Sequence, residues 1–352
     1  MCEICVAGQQ CTKECEREAK KLRLDDSSGY DPQRHQQLQE NVKLFEAHRR
    51  VADLQRENYV AARDALKAGQ VMIILDFKEN LKVGSGPVEV GQDFYQKTQV
   101  SCLGCAVHVG RDEGTCSTHY FDALSYCLSH DGLYVREAMR VIIPRILDMA
   151  GGSLSDLSFW MDCGPHFRCY EVLYDFLIDL PHCYPIPTIR VNFFAEHHGK
   201  SLVDGHFGHV SRAVNRWSLK QRLVDIQDLC SAISEYFPSD SVHPLVLPTP
   251  TRSLVAQLKL LQGKAHVKIT QNYYFVSQNG TISCSLLSAG TALVGCTSNH
   301  SMKVDTRAVK KPPHLEKRTA KATESTETLV GPDTKEKLST HWQSLKAAGL
   351  LS

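Results

Sequence analysis

Leu157-Ser158-Phe159-Trp160-Met161-Asp162-Cys163-Gly164-Pro165-His166-Phe167 is the stretch on which the reading of the chain turns. A short apolar run ends abruptly on Asp162, and a Gly-Pro turn follows at once. That is how a buried strand delivers a carboxylate to the edge of a sheet. Upstream, Val71-Met72-Ile73-Ile74-Leu75 also ends on an acid, Asp76. Downstream, a third apolar run from Ile189 to Ala195 leads into Glu196-His197-His198-Gly199-Lys200, and then into Asp204-Gly205-His206-Phe207-Gly208. Two strand-end aspartates and an acid opening a helix are what two-metal phosphoryl transfer requires. Carboxylates fix a pair of Mg²⁺ ions that activate one oxygen and stabilise the leaving one.

The bulk properties bound this reading without deciding it. The chain has 352 residues, enough for two or three domains and a real core. Hydrophobic residues make up 42% and charged residues 22%, the balance of an ordinary globular protein. A net charge of +1 means that any basic surface must be local. No apolar run is long enough to predict a membrane-spanning helix. Met1-Cys2-Glu3-Ile4-Cys5 has neither the basic nor the apolar part of a secretory signal. The fourteen cysteines are therefore expected as reduced thiols or metal ligands in an intracellular protein.

Residues 1–30 form a cysteine-rich segment in which Cys2, Cys5, Cys11 and Cys15 are spaced closely enough to close a tetrahedral Zn²⁺ site. A mobile tail with free thiols is the competing reading. Residues 31–70 repeat apolar positions at helical spacing, with Asp31-Pro32 as an N-terminal cap and Gly69 as the stop. From 71 to 115 the period changes to that of strands, with two or three expected in an antiparallel meander. Cys102 and Cys105 fall on opposite faces of such a strand, so they are expected as buried thiols that share no metal. Cys116–Tyr120 either adds a third strand or begins the next helix, and residues 119–151 read as helix, with Pro144 inside the pattern. Strands are expected at 157–162 and 189–195, and helices at 166–180, 202–217 and 219–237.

Beyond Pro238 the composition shifts. Pro244, Pro248 and Pro250 signal a linker, and 252–262 suggests a short helix. Alternating segments around an Asn279-Gly280 turn predict a small β module within 238–304. The remainder, 305–352, reads as a disordered basic tail with a short helix near its end.

The order from 71 to 217, strands, helix, strand ending in an acid, helix, strand, helix, resembles the RNase H-like catalytic core of DDE/D-type cut-and-paste DNA transposases. Asp162-Cys163-Gly164-Pro165-His166 is similar to the Asp-Asn-x-x-His turn that carries the second acid in several of those families. The resemblance covers under half of the chain. It implies an α/β fold with a mixed sheet flanked by helices over 71–237. The N-terminal zinc or helical part and the small C-terminal module also suit the family. It makes Asp76 the first metal-binding acid and Asp162 the second, with His166 near the metals. The third acid is Asp204, with Glu196 as runner-up because it lies 34 positions after Asp162. The function implied is DNA cleavage and strand transfer with Mg²⁺ or Mn²⁺, by a homo-oligomer on DNA ends in the nucleus. Lys200, Arg212, Arg216 and Lys220 are the candidate phosphate contacts, joined by Lys310, Lys311, Lys317 and Arg318 in the tail. His197, His198, His206 and His209 form a histidine cluster able to bind Zn²⁺ or orient water. Three alternatives stay open: a transposase-derived DNA-binding or scaffold protein without catalysis, an RNase H-like nuclease that only hydrolyses, and an α/β protein whose strand-end aspartates are structural.

Overall fold

The structure is a computed structural model that describes residues 2–23, 30–88, 91, 97–199, 201–237, 240–248, 269–279, 281–288, 297–298 and 332–351. Its centre is a nine-stranded mixed sheet in the order β6-β3-β2-β1-β4-β5-β7-β8-β9. The strands are β1 (Gln70–Val83), β2 (Thr98–Gly110), β3 (Cys116–Ser125), β4 (Asp156–Met161), β5 (Thr188–Phe193), β6 (Val242–Val246), β7 (Tyr274–Gln278), β8 (Thr281–Ser285) and the two-residue β9 (Thr297–Ser298). β1, β2 and β3 pair antiparallel, whereas β4 runs parallel to β1 and β5 parallel to β4.

The helices are α1 (Glu3–Arg23), α2 (Pro32–Asp64), α3 (Gly132–Met149), α4, α5 (Leu202–Ser218), α6 (Ile226–Tyr236) and α7 (Pro332–Ala347). α4 begins at Tyr170–Tyr174, widens to a π turn over Asp175–Asp179 and closes with Leu180–Cys183. None of the described helices is long and apolar enough to cross a membrane.

Alternation along β1 builds the two faces. Val71, Ile73 and Leu75 join the core under α3 and α4, while Met72 and Ile74 join the core under α5 and α6. All five are buried because helices cover both faces, which is why the run reads as continuously apolar. Cys105 falls in the first core and Cys102 in the second, as the strand period requires. α2 starts where Asp31 accepts hydrogen bonds from the Gln33 and Arg34 N–H groups, with proline at the first helical position. Further along α2, the buried Gln55 amide donates to the Phe193 carbonyl at 2.7 Å, satisfying the end of β5.

Several expectations need correction. Cys116–Ser125 is a strand, and the helix starts only at Gly132. Five consecutive buried residues, Phe121 to Ser125, hide the alternation that would have marked the strand. The C-terminal strands are not a separate module: β6 pairs with β3, and β7 adds to β5, so both extend the central sheet at opposite edges. α1 occupies most of the cysteine-rich segment as regular helix. α7 docks through Leu338 and the buried Leu345 and His341. The expected helix at 252–262 and the tail at 305–331 lie outside the described residues.

One glycine positions α5. Gly104 on β2 is the partner of Asp76 on β1. A Cβ there would come within 2.3 Å of the Phe207 ring and 2.9 Å of the Val203 side chain. The missing side chain lets the first turns of α5 lie directly on the sheet. Gly104→Ala is expected to lower stability by about 1–3 kcal/mol through overpacking, read from urea denaturation. An unchanged midpoint would contradict this packing.

Candidate functional site

β1 and β4 pair in parallel from Gln70↔Asp156 to Ile74↔Trp160. Carried two residues further, that register sets Asp76 level with Asp162, on the face covered by α5. α5 opens with a capping box. Ser201 accepts from the Val203 N–H at 3.2 Å, and Asp204 Oδ2 accepts from the Ser201 N–H at 2.7 Å. This engages one oxygen of Asp204 and leaves the carboxylate its second acceptor.

Asp76 is half-buried, and its carboxyl is pushed up to about 7. Burial is the largest cause, followed by the negative charges of Asp162 and Asp204; the Phe77 N–H and His166 oppose the rise. Asp162 and Asp204 thus both lie near enough to Asp76 to oppose its ionisation, but the three carboxylates do not gather within 4.8 Å of one another. Asp162 Oδ1 accepts from the Gly164 N–H at 2.8 Å and lies 3.4 Å from His166 Nε2. His166 in turn stands edge-on to Phe77, with ring centres 5.3 Å apart.

Glu196 goes elsewhere. It accepts from Arg168 Nη1 at 2.8 Å, from the Tyr273 hydroxyl at 2.6 Å and from Lys337 on α7. Burial alone would raise its carboxyl, but Lys337 and Arg168 outweigh that and bring it to about 2. Arg168 also donates to the Asn272 carbonyl at 2.7 Å and to Cys163 Sγ at 3.0 Å. Glu196 is thereby the centre of a buried ion network that joins α7 to the sheet.

The histidines separate as well. His206 is buried against Asp122, with Nε2 2.9 Å from Oδ2, and stacks on Tyr120. His209 sits against Tyr236 and Phe237. His197 adopts φ 61° in the turn after β5. His198 joins a second site, with Cys2, Cys5 and His48. Its ring Nε2 lies 3.4 Å from Cys5 Sγ and 3.1 Å from His48 Nε2, and His48 Nε2 is 3.3 Å from Cys2 Sγ. All four donor atoms fall within 4.8 Å of one another, so this group can hold a metal such as zinc. Burial holds His48 down at about 4, reinforced by His198, and also lowers His198, keeping both rings in the neutral form that ligates.

The expected four-cysteine site is corrected accordingly. Cys2 precedes α1 and Cys5 lies in its first turn, so they share one side of the helix. Cys11 and Cys15 lie further along α1 and do not join the group. His48 escapes sequence reasoning because it occupies an inward position of α2 among apolar residues. A histidine among Leu44, Phe45, Ala47 and Val51 is the signal that was available.

Basic residues also divide. Arg212 and Arg216 lie roughly 12–18 Å along α5 from Asp204 at 1.5 Å per residue, and Lys220, just past the end of α5, pairs with Glu235 at 3.1 Å. Lys200 lies outside the described residues. A groove of about 370 Å³ runs between the part of β1 beyond Asp76 and the second half of α5, with Glu79 also on its wall. Lys78, Lys82 and Lys97 line it, facing Ser211, Asn215 and Ser218 of α5. Lys78 is two positions after Asp76 on β1, and its ammonium lies 5.6 Å from the centre of the Phe207 ring.

Residues 55–249 match a family described as Domain of unknown function (DUF8701). The chain belongs to this family. The matched region takes in more than half of the chain and includes all three aspartates, Glu196 and His198. No match was found among curated proteins or among solved structures.

The two acidic roles can be told apart by stability. Glu196→Gln is expected to cost on the order of 3 kcal/mol because it leaves Arg168 and Lys337 without their carboxylate. Asp204→Asn should stay within about 1 kcal/mol of wild type, since the amide oxygen can still cap the helix. Equal losses in urea denaturation would contradict the assignment.

Proposed function

We propose that this protein is a metal-dependent polynucleotidyl transferase with an RNase H-like core, similar to the DDE/D-type cut-and-paste transposases. It cleaves DNA phosphodiesters and transfers the resulting 3′ ends. The observation that carries this reading is that the charges of Asp162 and Asp204 both act on Asp76 at one end of the sheet, although the three carboxylates do not close to within 4.8 Å of one another. The strand order β3-β2-β1-β4-β5, with three antiparallel strands and two parallel additions, supports the RNase H-like assignment.

The donor set suits the metal. Three carboxylates offer only hard oxygen ligands, which favours Mg²⁺ or Mn²⁺ over softer ions. Asp76, Asp162 and Asp204 would hold such ions. When bound, these would supply Lewis-acid activation of the attacking oxygen and charge neutralisation at the leaving one. The protein groups have separate tasks. The α5 cap holds Asp204 at the helix start, the Gly164 N–H orients Asp162, and His166 stands beside Asp162 within reach of a phosphate oxygen. Lys78, Lys82 and Lys97 would hold the backbone phosphates of the strand entering the acids. Arg212, Arg216 and Lys220 would extend that contact along α5 and just past its end. This reading makes DNA the partner, with a homo-oligomer assembled on DNA ends in the nucleus.

The direct test is nicking of supercoiled plasmid with Mg²⁺ or Mn²⁺, together with joining of a 3′-hydroxyl oligonucleotide into that plasmid. Wild type is expected to do both, and Asp162→Ala to lose at least about 100-fold in rate, given how much charge stabilisation at the reacting phosphorus contributes. A wild type that leaves DNA intact under all divalent cations overturns the proposal. Cleavage without joining would restrict it to hydrolysis.

The groove makes its own prediction. Lys78→Ala/Lys82→Ala should weaken DNA binding and reduce the slope of log affinity against log salt by about 1–2. Fluorescence anisotropy in Ca²⁺ reads this without cleavage. An unchanged slope would remove the groove from the DNA path.

A further inference from the structure

The Cys2, Cys5, His48 and His198 group has the dimensions of a closed metal site. Zinc bonds of about 2.0–2.3 Å at tetrahedral angles set ligand atoms about 3.3–3.8 Å apart. The contacts of 3.3, 3.4 and 3.1 Å lie close to that range, and all four donor atoms fall within 4.8 Å of one another. Two thiols and two imidazoles are a borderline-soft set, unlike the carboxylates of the acid site. Four protein ligands leave no open position, as in structural zinc sites. On binding, Cys2 and Cys5 each release a proton to solvent, and two thiolates with two neutral imidazoles balance the charge of Zn²⁺.

The ligands also come from three parts of the chain. Cys2 and Cys5 lie at the start of α1, His48 lies inside α2, and His198 lies in the turn between β5 and α5. That turn abuts the acids. A Cβ on Gly199 would lie 3.2 Å from Asp162 Cβ, so the residue after His198 touches the second acid. Three residues after Gly199 the helix carrying Asp204 begins, held by the Ser201 cap. Glu196 ties the start of the turn to Arg168, Tyr273 and Lys337, whereas the His198 N–H donates within the turn itself, to the Ala195 carbonyl at 2.9 Å.

We propose that Cys2, Cys5, His48 and His198 bind one Zn²⁺ as a structural clip. It fastens α1 and α2 to the turn at 195–199, and so holds Asp204 in place relative to Asp162. The zinc site stands on its own ligands, whereas its consequence for the acids rests on the reading of Asp162 and Asp204 given above. His198 is on this account a positioning residue.

The test begins with metal analysis of the full chain purified without added zinc, where one zinc per chain is expected. Co²⁺ substituted into the site should give visible d–d bands of a tetrahedral ion and thiolate-to-cobalt charge transfer. His198→Ala and Cys5→Ser should lose the metal, and Cys11→Ser and Cys15→Ser should retain it. Should the ligand variants fail to fold, wild type stripped with a chelator and reloaded with Zn²⁺ provides the same comparison. Hydrogen exchange at 195–204 is then expected to quicken at least tenfold on stripping and to recover on reloading. Absence of zinc, or dependence on Cys11 or Cys15, overturns the site. Zinc that leaves without changing exchange at 195–204 overturns the clip. Neither readout needs DNA cleavage, so inactivity on plasmid would count against the catalytic reading alone.

Discussion

The parallel pairing of β1 with β4 sets what the acid end of this sheet can do. The two strands keep a constant offset over five residue pairs, and continuing it brings Asp76 level with Asp162. Because side chains alternate, a slip of one residue would turn every inward side chain of one strand to the other face. Met72, Ile74 and Trp160 resist such a slip, since all three are buried in the core beneath α5. Packing two to four positions before the acids therefore sets Asp76 and Asp162 level on one face of the sheet. The cost is electrostatic. Burial and two neighbouring carboxylates push Asp76 up to about 7, a load that a bound cation would relieve.

Two kinds of acid arise from the same stretch of chain by the company they keep. Asp204 has a helix start and other carboxylates around it, and no ion pair among the described residues. Glu196, only eight positions earlier, is enclosed by Arg168, Tyr273 and Lys337. The first arrangement leaves negative charge available to an outside ion, and the second neutralises it internally. The donor atoms divide in the same way between sites. Sulfur and nitrogen gather where α1, α2 and the turn after β5 meet, apart from the carboxylates that act on Asp76. The turn at 195–199 borders both, through His198 and Gly199.

Much of this was legible because it is local. Asp76 and Asp162 each close an apolar run, and Ser201 with Asp204 spells a helix start. Cys2 and Cys5 are three apart, so a shared side of a helix follows from spacing alone. What escaped is long-range. His48 and His198 are 150 residues apart, and nothing near either names the other. Glu196 kept its place as runner-up because Lys337, its partner on α7, is 141 residues away. The strand at Cys116–Ser125 was obscured by burial on both faces, and β7 and β8 were read as a separate module because alternation reveals a strand but not the neighbour it pairs with.

The claim at the centre of this account is that Asp76, Asp162 and Asp204 form one divalent-cation site. Calorimetric titration of Mn²⁺ into the full chain, with any zinc already in place, tests it most directly. The account predicts that wild type binds Mn²⁺ and that Asp76→Asn, Asp162→Asn and Asp204→Asn each weaken binding at least tenfold. Binding that is absent in wild type, or equal in wild type and all three variants, would contradict it.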